Sequence, residues 1–225
     1  MKTRNFFLAS FICLSQFLFA QTNMGFTNPE ILNVLQGNYD PQVYMPAEII
    51  SDPYVISAGM LDEINPDSLK ATLFALRTFE NRNTGSDTIS ATRGIGAART
   101  WVLKKFNEYS VASENRLVTG YFQFDLSVCN MGRHKNVVAV LPGNDVTDPS
   151  SILIEAHLDS RCAELCDVLC QAEGMEDNAS GVALVMELAR VMSKYAFDHT
   201  IVFVATTGEE QGLVGAEAMA FYASQ

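Results

Sequence analysis

Two short apolar runs rich in β-branched residues stand out in the second half of the chain, and each ends in a polar cluster. The first run, residues 152–156, ends in His157 and Asp159, and the second, residues 201–205, leads to the pair Glu209-Glu210. Short apolar runs of this kind predict buried strands of a parallel sheet. In open α/β sheets, chemistry collects beyond the carboxyl ends of such strands. We therefore expect these polar side chains to lie close together.

A helix is predicted between the two strands. Apolar residues repeat there at i, i+3, i+4, i+7 and i+10, which is the spacing of one helical face. These residues are Val182, Val185, Met186, Ala189 and Met192. Asp177 or Asn178 is a natural N-cap just before this helix. Asp177 should therefore lie at a strand–helix junction, at the same edge of the sheet as His157.

The residues expected at this edge have the chemistry of a zinc site. The neutral imidazole of His157 and the carboxylates of Asp177 and Glu210 are ligand types that Zn²⁺ accepts. Glu209, which stands next to a ligand, can stay free of the metal and handle protons. The sequence therefore predicts a metal site with a general base beside it.

Three motifs in this stretch resemble those of the co-catalytic zinc aminopeptidase family, which also contains glutaminyl cyclases and carboxypeptidases. The motifs are His157-Leu158-Asp159, Asp177-Asn178-Ala179-Ser180-Gly181 and Glu209-Glu210, and Asp177 follows His157 by 20 residues and precedes Glu209 by 32. The resemblance covers roughly residues 68–225. It implies an α/β fold of three layers, α/β/α, with a mixed and largely parallel central sheet.

The resemblance also implies a role for each motif residue. His157 would bind one zinc, Asp177 would bridge two zincs, and Glu210 would be a ligand of the other zinc. Glu209 would be the general base on the bridging water. Asp159 would orient His157, as carboxylates commonly do for imidazole ligands.

Two further ligands of the family pattern, an Asp and a later His, would follow the Glu pair. No Asp or His follows Glu210 in these 225 residues, so three of the five expected ligands are present. A smaller departure is Glu176, where the family usually has Asp. We therefore expect the C-terminal part of the catalytic domain to be missing from this sequence, and the 225-residue chain by itself to be inactive or a poor enzyme.

The function that the resemblance implies is that of a secreted zinc-dependent aminopeptidase, which removes N-terminal residues from peptides. Metal-activated water would attack the scissile carbonyl, and Glu209 would pass the proton of that water to the leaving amine. The alternatives are a single-zinc glutaminyl cyclase, a carboxypeptidase and a non-catalytic peptidase-like binding domain.

The chain before the catalytic residues divides into two parts. Basic residues precede an apolar run over residues 6–20, which predicts a secretory signal peptide over residues 1–20. Residues 21–66 hold five of the seven prolines and show poor periodicity, so we expect an irregular N-terminal segment. Residues 67–225 would form the zinc peptidase-like catalytic domain, incomplete at its C-terminus.

The remaining elements follow from the same periodicities. We expect two helices before the sheet, then an antiparallel hairpin with a polar connector over residues 130–135, and a last helix from Gly212 onward. The predicted helices are residues 67–83 and 92–109, and the predicted hairpin strands are residues 117–128 and 136–141.

The net charge of the chain limits the classes of partner that it is expected to bind. Removing Lys2 and Arg4 with the signal peptide leaves 13 of the 15 basic residues against 26 acidic ones, a net charge of −13. This charge argues against nucleic acid and against an anionic membrane surface, but it says little about the substrate, because acidity mostly serves solubility. We assign no role to His134, expected in the hairpin turn, or to His199.

Four cysteines remain after removal of the signal peptide: Cys129, Cys162, Cys166 and Cys170. An even count in a secreted or periplasmic protein predicts disulfides, and four cysteines allow three pairings. A bridge from Cys129, at a strand end, into the loop of the other three is feasible. The alternative is a separate Cys-rich zinc site, although the spacing is not the usual Cys-x-x-Cys.

Overall fold

The computed structural model describes residues 21–225. The predicted signal peptide, residues 1–20, lies outside the described residues. The strands are β1 (Thr22–Phe26), β2 (Val118–Val128), β3 (Met131–Leu141), β4 (Ser151–His157) and β5 (Thr200–Thr206). The α-helices are α1 (Pro29–Leu35), α2 (Pro53–Glu63), α3 (Pro66–Arg77), α4 (Gly94–Ala112), α5 (Ser180–Met192) and α6 (Val214–Ala223).

The strands form one mixed sheet in the order β1-β2-β3-β5-β4. This confirms the predicted α/β class and the mixed sheet. The sheet is less parallel than expected, because in the described residues only β4 and β5 pair in parallel, whereas β1–β2, β2–β3 and β3–β5 are antiparallel. A tight turn joins β2 to β3, and strands joined by such a turn can pair only in antiparallel fashion, which accounts for one of these three pairs.

The hairpin is tighter than predicted. The turn consists of Cys129 and Asn130, both with positive φ (48° and 64°), as two-residue hairpin turns require. β3 therefore starts at Met131, and the expected connector over residues 130–135 is mostly strand. His134 is consequently buried and packs beside Phe124, so its expected position in an exposed turn is wrong. Burial lowers the pKa of His134.

Alternating residues of the central strands build two cores, one on each face of the sheet. On one face, the side chains of β3 and β5 pack against α3, α4 and α5. On the other face, the intervening side chains pack against α1 and α6. Period-2 alternation therefore places helices on both faces and gives three layers. The strand residues facing the first core are Val137, Ala139, Leu141, Ile201, Phe203 and Ala205, and those facing the second are Val138, Val140, Val202 and Val204.

The N-terminal segment, residues 21–66, is more regular than predicted. It contains an edge strand, β1, and two α-helices. Four of its five prolines start helices rather than interrupt them, because each of the four stands at a first helical position behind a capping Asn or Asp. The capped pairs are Asn28-Pro29, Asp40-Pro41, Asp52-Pro53 and Asn65-Pro66, where Pro41 starts a short 3₁₀ helix. The domain boundary near residue 67 stays a prediction.

The helices of the central region agree with their predicted positions, with one shorter than expected. α4 and α5 lie where the apolar periodicity places them, whereas α3 ends at Arg77 rather than at residue 83. Residues 78–93 instead form turns and bends, and Arg82 within them donates to the carbonyls of Leu158 and Gly174. Within residues 21–225, no helix is both long and apolar enough to cross a membrane.

Candidate metal site

The carboxyl ends of β4 and β5 lie side by side, as the sequence predicts. Parallel pairing sets His157 opposite Thr206, and the Leu158 N–H donates to the Thr206 carbonyl at 2.7 Å. Glu209 follows β5 by three residues, after a turn at Gly208 with φ of 75°. The two strands therefore deliver His157 and the Glu pair to one edge of the sheet.

The His157 ring is fixed by its Nδ1 atom. Nδ1 lies 3.1 Å from the Asp159 backbone oxygen and 3.7 Å from Asp159 Oδ1. A carbonyl oxygen can only accept a hydrogen bond, so Nδ1 is the donor. This leaves Nε2 to point away from the strand with a lone pair available for a cation.

His157 Nε2 faces two carboxylates. It lies 3.0 Å from Asp177 Oδ1 and 3.8 Å from Glu209 Oε2. The Asp177 side chain is 68% exposed and that of Glu209 is 42% exposed, so this group opens to solvent. With Nδ1 carrying a proton, Nε2 and Asp177 Oδ1 would be two acceptors in contact. A proton or a metal cation between them would remove the repulsion of their lone pairs.

Asp159 is fully buried beneath the Glu pair. Its Oδ1 accepts from the Glu209 N–H and its Oδ2 from the Glu210 N–H, each at 3.2 Å. Burial raises the pKa of the Asp159 carboxyl, while His157 and the two amide donors act against that rise. The sequence suggested that the Asp159 carboxylate orients His157. In the structure the Asp159 backbone oxygen is the nearer partner of Nδ1, and the carboxylate holds the backbone of both glutamates.

The two adjacent glutamates have different surroundings. Glu209 approaches His157, whereas Glu210 is only 12% exposed and accepts from Arg161 Nε at 2.6 Å. Arg161 is a site neighbour that sequence reasoning missed. Little in the sequence indicates this contact, because Arg161 lies in an irregular loop 49 residues before Glu210.

Asp177 is presented by a tight turn before α5. Gly174 opens this turn with φ of 46°, and its carbonyl accepts from the Ala179 N–H at 3.0 Å. A Cβ at position 174 would stand 2.5 Å from Ser160 Cβ and 2.7 Å from the backbone oxygen of Asp177, so only glycine fits. The N-cap position of α5 is Ala179 rather than Asp177 or Asn178 as predicted, but Asn178 Oδ1 still accepts from the Gly181 N–H at 3.0 Å.

Residues 158–174, called here the connecting loop, join β4 to this turn, and two disulfides hold the loop. Cys129 pairs with Cys166, and Cys162 pairs with Cys170. The prediction of disulfides is confirmed, and the bridge from Cys129 ties the loop to the β2–β3 hairpin. The three loop cysteines therefore serve as crosslinks and are not free to form a separate zinc site.

The donor chemistry around His157 fits zinc. One imidazole nitrogen with a free lone pair and nearby carboxylate oxygens are ligands that zinc takes. In residues 21–225, however, no three His, Cys, Asp or Glu side chains already converge closely enough to hold a metal ion. Glu210 in particular is turned to Arg161. His157, Asp177 and Glu209 are thus brought together, whereas Glu210 is held close by without contacting them.

Parts of the chain match known proteins. Residues 136–225 match the family model described as Peptidase family M28. A probable zinc metalloprotease of Pyricularia oryzae is 35% identical over 204 residues, which cover 88% of this chain and 40% of that protein. A probable zinc metalloprotease of Pyrenophora teres f. teres is 39% identical over 168 residues, which cover 72% of this chain and 36% of that protein. The chain therefore spans 40% or less of the length of these relatives.

Solved structures share the fold. The LapA aminopeptidase of Legionella pneumophila superposes with a TM-score of 0.61 at 24% identity, over 77% of this chain and 42% of that chain. LapB from the same organism gives a TM-score of 0.59 at 22% identity, over 86% of this chain and 47% of that chain. Residues 136–225 therefore carry the sequence pattern of Peptidase family M28, and the solved structures show a shared fold.

Proposed function

We propose that the domain belongs to a secreted zinc-dependent aminopeptidase that acts on peptides. The observation that carries the proposal is the geometry of His157, whose Nδ1 is anchored and whose Nε2 faces the carboxylates of Asp177 and Glu209. An imidazole fixed by its other nitrogen is the usual arrangement of a metal ligand. The two disulfides support secretion, because such bonds persist in oxidising compartments.

His157, Asp177 and Glu210 would hold the zinc, and two ions are expected. Zinc bound there supplies a Lewis acid that polarises a carbonyl and lowers the pKa of water. Asp159 keeps the His157 ring and the Glu209 backbone in place. Glu209, exposed and without an ion-pair partner other than His157 in residues 21–225, takes the proton of the attacking water and delivers it to the leaving amine.

Zinc binding of the chain from residue 21 is the direct test. We expect the wild type to bind zinc weakly, since three protein ligands shared by two metals leave each under-coordinated. His157→Ala, Asp177→Asn and Glu210→Ala should each reduce the zinc affinity further. Glu209→Gln should keep the affinity, because Glu209 has no metal bond. The measurement is competition with a chromophoric chelator.

Turnover separates the catalytic role of Glu209 from metal binding. In the whole protein to which the domain belongs, hydrolysis of a chromogenic aminoacyl substrate should fall by about 100- to 10,000-fold in Glu209→Gln, the usual cost of losing a general base. Cyclisation of a glutaminyl peptide without aminoacyl hydrolysis would instead indicate a cyclase. A wild type that binds no zinc would refute the proposal, and loss of zinc in Glu209→Gln with retention in Glu210→Ala would reverse the two assignments.

A further inference from the structure

Arg82 is a buried cation that the proposed mechanism does not use. Its side chain is fully buried in the turns after α3. In residues 21–225 no carboxylate forms an ion pair with it, and its guanidinium donates only to backbone carbonyls. Burial lowers the pKa of Arg82 to about 10, and the charge of Asp159 opposes this shift.

Three of the four carbonyls that Arg82 binds belong to the two segments that carry the candidate ligands. Nε donates to the Leu158 oxygen at 2.8 Å, immediately after His157. Nη1 donates to the Glu173 oxygen at 2.6 Å and Nη2 to the Gly174 oxygen at 2.9 Å, at the start of the turn that presents Asp177. A further bond from Nη1 to the Leu76 oxygen at 3.1 Å anchors the group to α3.

The backbone of Arg82 joins the same segments. Its N–H donates to Ser160 Oγ at 3.1 Å, and Ser160 Oγ donates to the Ala172 oxygen at 2.7 Å. The Gly174 carbonyl accepts from both Arg82 and the Ala179 N–H. One planar group with five donors in fixed directions thus sets the end of β4 against the turn before α5.

We propose that Arg82 is a positioning residue of the metal site, which fixes the separation of His157 Nε2 and the Asp177 carboxylate through the carbonyls of Leu158 and Gly174. The inference rests on the proposed function, because the separation matters only if both side chains hold the metal. Arg82 itself touches neither metal nor substrate. Residues that orient ligands typically change metal affinity by about 10- to 100-fold when replaced.

Arg116 is a matched control within the same chain. It is also a buried arginine that donates to backbone carbonyls, those of Tyr44 at 2.6 Å and Ser193 at 2.5 Å. Burial lowers its pKa as well. Ser193 follows the C-terminal end of the 13-residue helix α5, whereas Asp177 lies before its N-terminal end, so the two are about 20 Å apart along the helix.

The experiment compares Arg82→Lys with Arg116→Lys. A lysine keeps the charge but cannot donate along the directions that the guanidinium serves, so both variants should lose stability. Only Arg82→Lys should weaken zinc binding, by about tenfold or more at a pH and temperature where both variants are folded. Hydrogen exchange should also show faster exchange of amides in residues 158–179 in Arg82→Lys than in Arg116→Lys.

A second variant covers the case in which Arg82→Lys does not fold. Gly174→Ala keeps the guanidinium but places a Cβ 3.0 Å from Arg82 Nη2 and 2.5 Å from Ser160 Cβ, so it displaces the same contact and should weaken zinc binding in the same way. If the wild type binds zinc and the variants at 82 and 174 bind it as tightly as Arg116→Lys, the inference is overturned. If the wild type binds no zinc, the proposed function fails. Hydrogen exchange then tests the positioning role separately, and equal exchange of the amides of residues 158–179 in the two lysine variants would overturn that role as well.

Discussion

The core around β3 and β5 and the connecting loop are held together by different forces. In the core, fully buried apolar side chains such as Val138 and Phe203 pack from both faces of the sheet. The connecting loop carries exposed apolar residues, with Leu169 93% exposed, and is held by two disulfides and by the carbonyl bonds of Arg82. The core supplies stability through non-directional burial, whereas the loop obtains a defined shape from directional bonds. The candidate site lies where these two regions meet.

The largest effect of a single substitution is expected in the core. Phe203→Ala removes a fully buried ring from the middle of β5 and should lower the free energy of unfolding by about 3–5 kcal/mol. Leu169→Ala in the connecting loop is the matched control and should change it by less than about 0.5 kcal/mol. Urea unfolding followed by circular dichroism measures both, and similar losses in the two variants would contradict the division between core and loop.

The disulfides should contribute unequally to stability. Cys129–Cys166 closes a separation of 37 residues and Cys162–Cys170 one of 8. The chain-entropy relation gives losses of about 4 and about 2.5 kcal/mol when each pair is replaced by serines. Thermal and urea unfolding of the two double-serine variants check this order. A larger loss from the short bridge would show that native-state contacts, rather than loop closure, dominate.

The smallest expected effect is a pH dependence that arises outside the connecting loop. Glu187 on α5 is buried and accepts from the Asn65 N–H at 2.7 Å and from Arg190 Nη2 at 2.6 Å. Burial alone would raise the pKa of Glu187, but the bonds from Arg190 and the Asn65 amide outweigh it and leave the pKa lowered. The stability from this carboxylate is therefore fully present above the unfolded pKa of about 4.3 and is lost as the pH falls through the lower folded pKa.

Glu187→Gln isolates this contribution. The difference in unfolding free energy between wild type and E187Q should be largest near pH 7 and should shrink towards pH 3. Other carboxylates titrate in both proteins and cancel in the difference. A difference that stays constant over this range would mean that the pKa of Glu187 is not lowered in the folded protein.

The sequence predicted the parts of the site that follow from strand ends and motif spacing. His157 and the Glu pair follow apolar strands, and Asp177 precedes an apolar helical face, so their common edge could be inferred without the structure. The disulfides followed from the even cysteine count. The contact between Glu210 and Arg161 could not be predicted, because Arg161 lies in an irregular loop without the periodicity that locates residues of helices and strands.

Arg82 shows why long-range polar contacts escape sequence reasoning. In the sequence it is an arginine between two asparagines after a helix, and three of its four carbonyl partners lie 76 to 92 residues away. Backbone carbonyls are present at every position, so no residue type marks those that accept from a buried guanidinium. The misjudged N-terminal segment is different, since its Asn-Pro and Asp-Pro pairs were readable as helix starts.

The disulfide between Cys162 and Cys170 also has a consequence for proteolysis. Leu165 and Leu169 are exposed apolar residues between these two cysteines, so a protease that prefers leucine would find its targets there. A cut after either residue leaves Cys162 on the first fragment and Cys170 on the second, still joined by their bond. A nicked molecule would therefore migrate as one species until a reductant separates it into two, with His157 on one fragment and Asp177 on the other.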